Sequence, residues 1–122
     1  RNMRTIVVDD EELSMRQFEI ECAQVREIEL VGRFTNPLEA LDYARNNAVD
    51  FALLDIEMPQ MDGHHLTKLI KSDPTLKKIP VFLFSSLINE QMYQKGLSVG
   101  ADEQFSKPQI GMLIERLMQI LS

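Results

Sequence analysis

Four of the five strand-like segments in this chain end in residues with complementary chemistry. Asp9-Asp10 follow the first run, Asp55 the third, Ser85-Ser86 the fourth, and Lys107-Pro108 the fifth. Three carboxylates gathered in one crevice repel one another, which raises at least one pKa unless a hard cation neutralises them. Mg2+ suits such an all-oxygen set, because it takes few protein groups and keeps waters that phosphate oxygens can replace. Asp55 stands alone at its strand end and is the natural nucleophile. Attack of its carboxylate on a phosphoryl group would give an acyl phosphate, with the metal and the Lys107 ammonium screening charge on the equatorial oxygens.

These residues can meet only if the strand ends lie on one edge of one sheet. Strand-like runs alternate with segments of helical period: Thr5 to Val8, then a stripe of Met15, Phe18, Cys22 and Val25; Glu29 to Phe34, then a helix over Pro37 to Asn46 with Asn36 as its cap and Leu38, Leu41 and Tyr43 apolar. Phe51 to Leu54 is apolar throughout, as suits a parallel strand covered on both faces. A turn-rich loop, Ile56 to Gly63, leads into a helix carrying Leu66, Leu69 and Ile70 that stops near Asp73-Pro74. Val81 to Phe84, a helix over Asn89 to Val99 ended by Gly100, a strand from Glu103 to Ser106 and a last helix burying Leu113, Leu117, Ile120 and Leu121 complete the series.

Five βα units with right-handed crossovers predict an α/β fold, a flavodoxin-like open parallel sheet of order 2-1-3-4-5 with helices on both faces. In such sheets function sits at the carboxyl edge beside the point where strand order reverses. In that order strands 1, 3, 4 and 5 are consecutive, so every polar strand end lands in one crevice.

Composition bounds the remainder. The chain has 122 residues, the size of a single domain, with 44% hydrophobic and 26% charged residues, which places it among globular proteins. Its 13 basic and 19 acidic residues give a net charge of −6, and no cluster of Lys or Arg forms a phosphate-tracking stripe, so direct contact with nucleic acid is disfavoured. Apolar runs fall far short of the ~20 residues of a membrane span. Arg1 to Arg4 lead straight into a strand without a signal-peptide pattern, so a cytoplasmic chain is expected. Cys22 is the single cysteine, which excludes an internal disulfide, and it sits on an apolar helix face as a small hydrophobe. His64 and His65, as helix neighbours about 100° apart, make a poor metal pair and read as two partly exposed residues.

The segments Val7-Val8-Asp9-Asp10, Leu53 to Gly63, Ser85, Gly100-Ala101-Asp102 and Lys107-Pro108 together resemble the receiver domains of two-component response regulators, over nearly the whole chain. The resemblance implies a single receiver domain over residues 1–122. Asp55 would be the phosphoacceptor, Asp9 and Asp10 would hold Mg2+ with Asp55 and the Glu57 backbone carbonyl, Ser85 would turn toward the phosphoryl group, and Lys107 would contact it. It further implies a cis Lys107-Pro108 bond, which proline makes accessible. The implied partners are a histidine kinase or phosphotransfer domain and a downstream effector. Output would run through the fourth helix, fifth strand and fifth helix, with a phosphorylation-dependent dimer as one form of it. Such a domain is a switch that catalyses only its own phosphorylation and dephosphorylation.

Two features depart from the family pattern. The position of the switch aromatic falls on Phe105 or on Gln104, depending on the spacing taken from Lys107; strand alternation puts the two on opposite faces, with the apolar one toward the core. The part before Gly63 looks like receivers of LytTR-type regulators and the part after it like receivers of chemotaxis coupling proteins, as in a chimera joined near Gly63. Duller readings compete residue by residue: Asp9 and Asp10 as helix-capping acids, Lys107 as a surface cation, Ser85 as a turn residue. Capping explains none of the other strand ends. Two other classes are a receiver-like binding module without phosphorylation, and a haloacid dehalogenase-type phosphatase, whose paired acids Asp55-Ile56-Glu57 loosely resemble. In the latter the nucleophile ends the first strand and the second acid is Asp, unlike here.

Overall fold

In the computed structural model, residues 2–59, 61–86, 88–107 and 110–121 are described, with the side chains at 110, 113, 117, 120 and 121 excepted. The fold follows from alternation along three apolar strands. In β1 (Met3–Val8), Ile6 and Val8 face one side and Val7 the other; in β3 (Phe51–Asp55), Ala52 and Leu54 oppose Phe51 and Leu53; in β4 (Val81–Ser85), Val81 and Leu83 oppose Phe82 and Phe84. All these apolar residues are buried, so both faces of the central sheet need covering.

One face is covered by α1 (Glu12–Ala23), through Met15, Phe18 and Cys22, and by α5 (Ile110–Leu121), through Ile114. Phe18 lies 4.7 Å from Phe84, and Phe51 meets Phe82 edge-on at 4.4 Å. The other face packs against α2 (Pro37–Asn46) and α3 (Gly63–Ser72), with Met92 of α4 (Glu90–Val99) at its margin. With β2 (Ile28–Phe34) and β5 (Glu103–Ser106) at the edges, the sheet has order β2-β1-β3-β4-β5 and every pair is parallel. The flavodoxin-like topology expected from the sequence is the one observed.

The Asn36 cap and the Gly100 stop act where the sequence places them, and the structure adds Asp62 and Asn89 as caps. Asn36, Asp62 and Asn89 cap α2, α3 and α4 through side-chain oxygens, each 2.8–2.9 Å from its backbone N–H partner. Gly100 closes α4 at φ 96°, a left-handed conformation that glycine adopts without penalty. Asp102 then accepts from Val81 N–H and from Lys71, tying the turn to the start of β4.

Several expectations need correction. β1 and β2 begin earlier than their apolar runs, because edge pairing extends to Met3 and Ile28. Leu38 is exposed, since it lies about a quarter-turn away from the Pro37, Ala40, Leu41 and Ala44 stripe. His64 is buried rather than partly exposed, because α4 covers its face of α3, while His65 remains exposed. The expected cis bond involves Pro108, and the expected burial of Leu113, Leu117, Ile120 and Leu121 concerns their side chains; both lie outside the described residues.

Candidate functional site

The parallel register places the polar strand ends side by side. Asp55 and Ser85 are the last residues of β3 and β4, with Asp55 beside Phe84 and Ser85 beside Ser106; Asp9 directly follows β1 and Lys107 directly follows β5. Asp9, Asp55 and Ser85 are fully buried, whereas Asp10 is exposed. Gly63 is required here by close approach: a Cβ at this position would come within 2.4 Å of the Asp55 carbonyl oxygen, so glycine lets the start of α3 rest against the end of β3.

Lys107 Nζ lies 3.7 Å from Asp55 Oδ2, 3.8 Å from Asp9 Oδ1 and 3.2 Å from Glu11 Oε2. Asp9 Oδ1 accepts the Glu11 N–H at 2.8 Å and Asp55 Oδ1 the Glu57 N–H at 3.2 Å. The second oxygen of each buried acid, Asp9 Oδ2 and Asp55 Oδ2, has no hydrogen-bond partner among the described residues. Capping therefore accounts for one oxygen of Asp9 and leaves the other unexplained. Buried carboxylate oxygens without donors are costly, and Asp9, Asp10 and Asp55 each offer a ligand atom within 4.8 Å of the others. Such a set fits a hard divalent cation.

The electrostatics point the same way. Burial, followed by the neighbouring Asp9 carboxyl, pushes the Asp55 carboxyl up to about 8, against the pull of Lys107 and the Glu57 N–H. Burial likewise raises Asp9, opposed by the Glu11 N–H, Asp55 and Lys107. Burial draws the Lys107 ammonium down, but Asp55, Asp9 and Glu11 outweigh it and hold the group above its ordinary value. Without added positive charge the pair therefore holds a proton at neutral pH.

The structure brings together the residues named from the sequence, Asp9, Asp10, Asp55, Ser85 and Lys107, with Glu57 against Asp55 and Ser85. It also shows contacts that sequence reasoning did not foresee, for one residue it passed over, Glu11, and for two it named in other roles, Glu57 and Gln104. Glu11 pairs with Lys107 and makes no cap with its side chain; as the third of a run of acids it was hidden among apparent helix-start charges. The Glu57 carboxylate accepts the Ser85 hydroxyl hydrogen bond and, at 3.4 Å, the Ser86 N–H. Gln104, three residues before Lys107, donates to the Tyr93 carbonyl at 2.9 Å and packs its amide over Gly96, while Phe105 turns to the opposite face against Phe82. The place facing α4 is thus held by an amide, and the neighbouring aromatic belongs to the core.

Residues 5–119 match the response regulator receiver domain family, and the chain belongs to it. It is 34% identical over 105 residues to the polar-differentiation response regulator DivK of Brucella anthropi, covering 84% of this chain and 82% of that protein. A gliding motility regulatory protein of Myxococcus xanthus is 38% identical over 74 residues, 61% of this chain but only 10% of that longer protein. Among solved structures, the response regulator domain of Thermotoga maritima CheB superposes with a TM-score of 0.86 at 27% identity, covering 98% of this chain and 96% of that one. The phosphorylated cyanobacterial phytochrome response regulator RcpA gives 0.84 at 25%, covering 96% and 91%. Receiver domains of this family are signalling switches of two-component systems. Among the described residues no helix is long and apolar enough to cross a membrane.

Proposed function

We propose that residues 1–122 form one phosphoacceptor receiver domain, in which Asp55 takes a phosphoryl group from the phosphohistidine of a histidine kinase or phosphotransfer domain. The observation that carries this reading is the buried Asp9–Asp55 pair, with an orphaned oxygen on each acid and Lys107 beside both. An Asp55 oxygen attacks phosphorus, the O–P bond forms, and the N–P bond of the donor breaks with its electron pair returning to the imidazole. Asp9, Asp10, Asp55 and the Glu57 backbone carbonyl would hold Mg2+. The bound ion would keep Asp55 ionised and neutralise charge on the phosphoryl oxygens. Lys107 balances the same charge from the β5 side, and Ser85 donates its hydroxyl to the phosphoryl group once formed.

A hydroxyl drawn toward Asp55 pulls the segment that follows β4, which feeds α4. The change in partner affinity is read on the surface of α4, β5 and α5, where Tyr93, Leu97 and Met112 are exposed. That surface serves an effector or a second copy of this domain in a cytoplasmic pathway. The domain is a switch whose only chemistry is its own phosphorylation and dephosphorylation. Incubation with Mg2+ and acetyl phosphate, followed by intact mass, tests the reading: one lasting adduct is expected, no adduct would favour a binding module, and steady hydrolysis of the donor would favour a phosphatase.

A further inference from the structure

The side chain of Glu57 has no part in the scheme above, yet it reaches the Ser85 hydroxyl directly. Its carboxylate accepts from the Ser85 hydroxyl and from the Ser86 N–H, while its own N–H donates to Asp55 Oδ1. One residue therefore holds the acid at the end of β3 and the hydroxyl at the end of β4. Ser85 is fully buried, and Glu57 reaches it from an exposed position.

We propose that the Glu57 carboxylate is a latch that competes with the phosphoryl group for the Ser85 hydroxyl and so sets how readily the domain switches. This rests on the phosphoacceptor reading of Asp55 and adds to it a positioning residue. A serine hydroxyl carries a single proton, so donation to a phosphoryl oxygen requires release of Glu57. Both acceptors are anionic and both bonds are charge-assisted, so the competition is between acceptors of similar strength. A phosphoryl group adds roughly −1.5 to −2 charges two residues from the Glu57 carboxylate, and the repulsion favours release of the latch. Before phosphorylation the same carboxylate pins the segment that feeds α4. Removing it should then loosen that segment and make the switched state easier to reach.

The test is a double-mutant cycle on the protein carrying Glu57→Ala, Ser85→Ala or both, with beryllofluoride and Mg2+ as the phosphoryl mimic and amide NMR as the readout. Glu57→Ala also removes a negative charge from the mouth of the site, which eases anion binding whether or not a latch exists. The Ser85→Ala background measures that part together with loss of the Ser86 N–H contact, and leaves out only the competition for the hydroxyl. With Ser85 present, Glu57→Ala should lower the beryllofluoride midpoint about tenfold, the factor one charge-assisted hydrogen bond supplies. In the Ser85→Ala background the shift should be about threefold or less, the effect of an exposed charge. Without beryllofluoride, Glu57→Ala should speed exchange of the Ser86 amide while the β1 and β3 amides stay protected. Glu57→Gln, which keeps an acceptor oxygen, should fall between parent and Ala. Equal midpoint shifts in both backgrounds, or an unchanged Ser86 exchange rate, would overturn the latch. If the parent gains no phosphoryl mass from acetyl phosphate and binds no beryllofluoride, the phosphoacceptor reading fails instead, and the latch with it. Adduct formation with an additive cycle sinks the latch alone.

Discussion

Asp55→Asn keeps the shape of the buried acid and removes its charge, so it measures what that charge costs the fold. The Asp55 carboxyl is raised from 3.8 to about 8 by burial and by Asp9. Below the ordinary value both folded and unfolded chains are protonated and the shift has no effect. Between the two values the unfolded chain ionises while the folded one retains its proton, so stability falls as pH rises. At pH 7 the solution is about three units above the ordinary value, and at about 1.4 kcal/mol per unit the ceiling is ~4 kcal/mol. Sharing of the proton with Asp9 and solvent at the mouth reduce this to about 1–3 kcal/mol. Urea unfolding in EDTA should therefore find Asp55→Asn more stable than the parent by that amount near neutral pH, or about 4–12 °C in Tm, with the gap closing toward pH 4. Added Mg2+ should raise the parent and leave the variant unchanged. A variant less stable than the parent at pH 8 in EDTA, or a gain independent of pH, would refute the reasoning.

Three further outcomes follow from particular contacts. A Cβ at Gly96 would sit 2.2 Å from Gln104 Oε1, so Gly96→Ala should displace the amide, break its bond to the Tyr93 carbonyl and cost about 1–2 kcal/mol, read by urea melts and by faster exchange in α4. An unchanged α4 exchange pattern would show that Gln104 does not couple β5 to α4. His64 is lowered by burial and by Lys95, against Asp62 and the Met92 carbonyl. The unfolded chain therefore takes up a proton first as pH falls below about 6.5, stability drops there, and His64→Phe should flatten that part of the pH–stability curve; an unchanged slope would exclude His64 as its source. Ser85→Ala should still take phosphate on Asp55 but show weaker exchange changes over residues 88–106 with beryllofluoride, and equal changes in both proteins would remove Ser85 from the switch.

The fold was legible because its signals are local and repeat. Ile6, Val8, Ala52 and Leu54 alternate with Val7, Phe51 and Leu53, and each polar strand end falls where the chain must leave the sheet. Asp9, Asp55, Ser85 and Lys107 could be grouped before the structure because a parallel sheet brings such ends to one edge. Contacts decided by side-chain reach were not legible. Nothing in Glu57 or Glu11 as residue types says that one turns to Ser85 and the other to Lys107. His64 was misplaced because helical period gives the direction of a side chain on α3 but not what covers it, and α4 supplies that cover from outside the helix. The ambiguity between Gln104 and Phe105 was resolved by strand alternation, which sent the aromatic to the core and the amide to α4.

The central claim is that one carboxylate, Asp55, carries the phosphoryl group. Its most direct measurement is chemical trapping: phosphorylation with acetyl phosphate and Mg2+, reduction of the acyl phosphate with borohydride, and peptide mass spectrometry of the product. Reduction converts a phosphorylated aspartate to homoserine, and the account predicts that residue at position 55 alone, with none in Asp55→Asn. Homoserine at Asp9 or Asp10 in the parent, or its formation elsewhere in the Asp55→Asn chain at the parent's level, would contradict it.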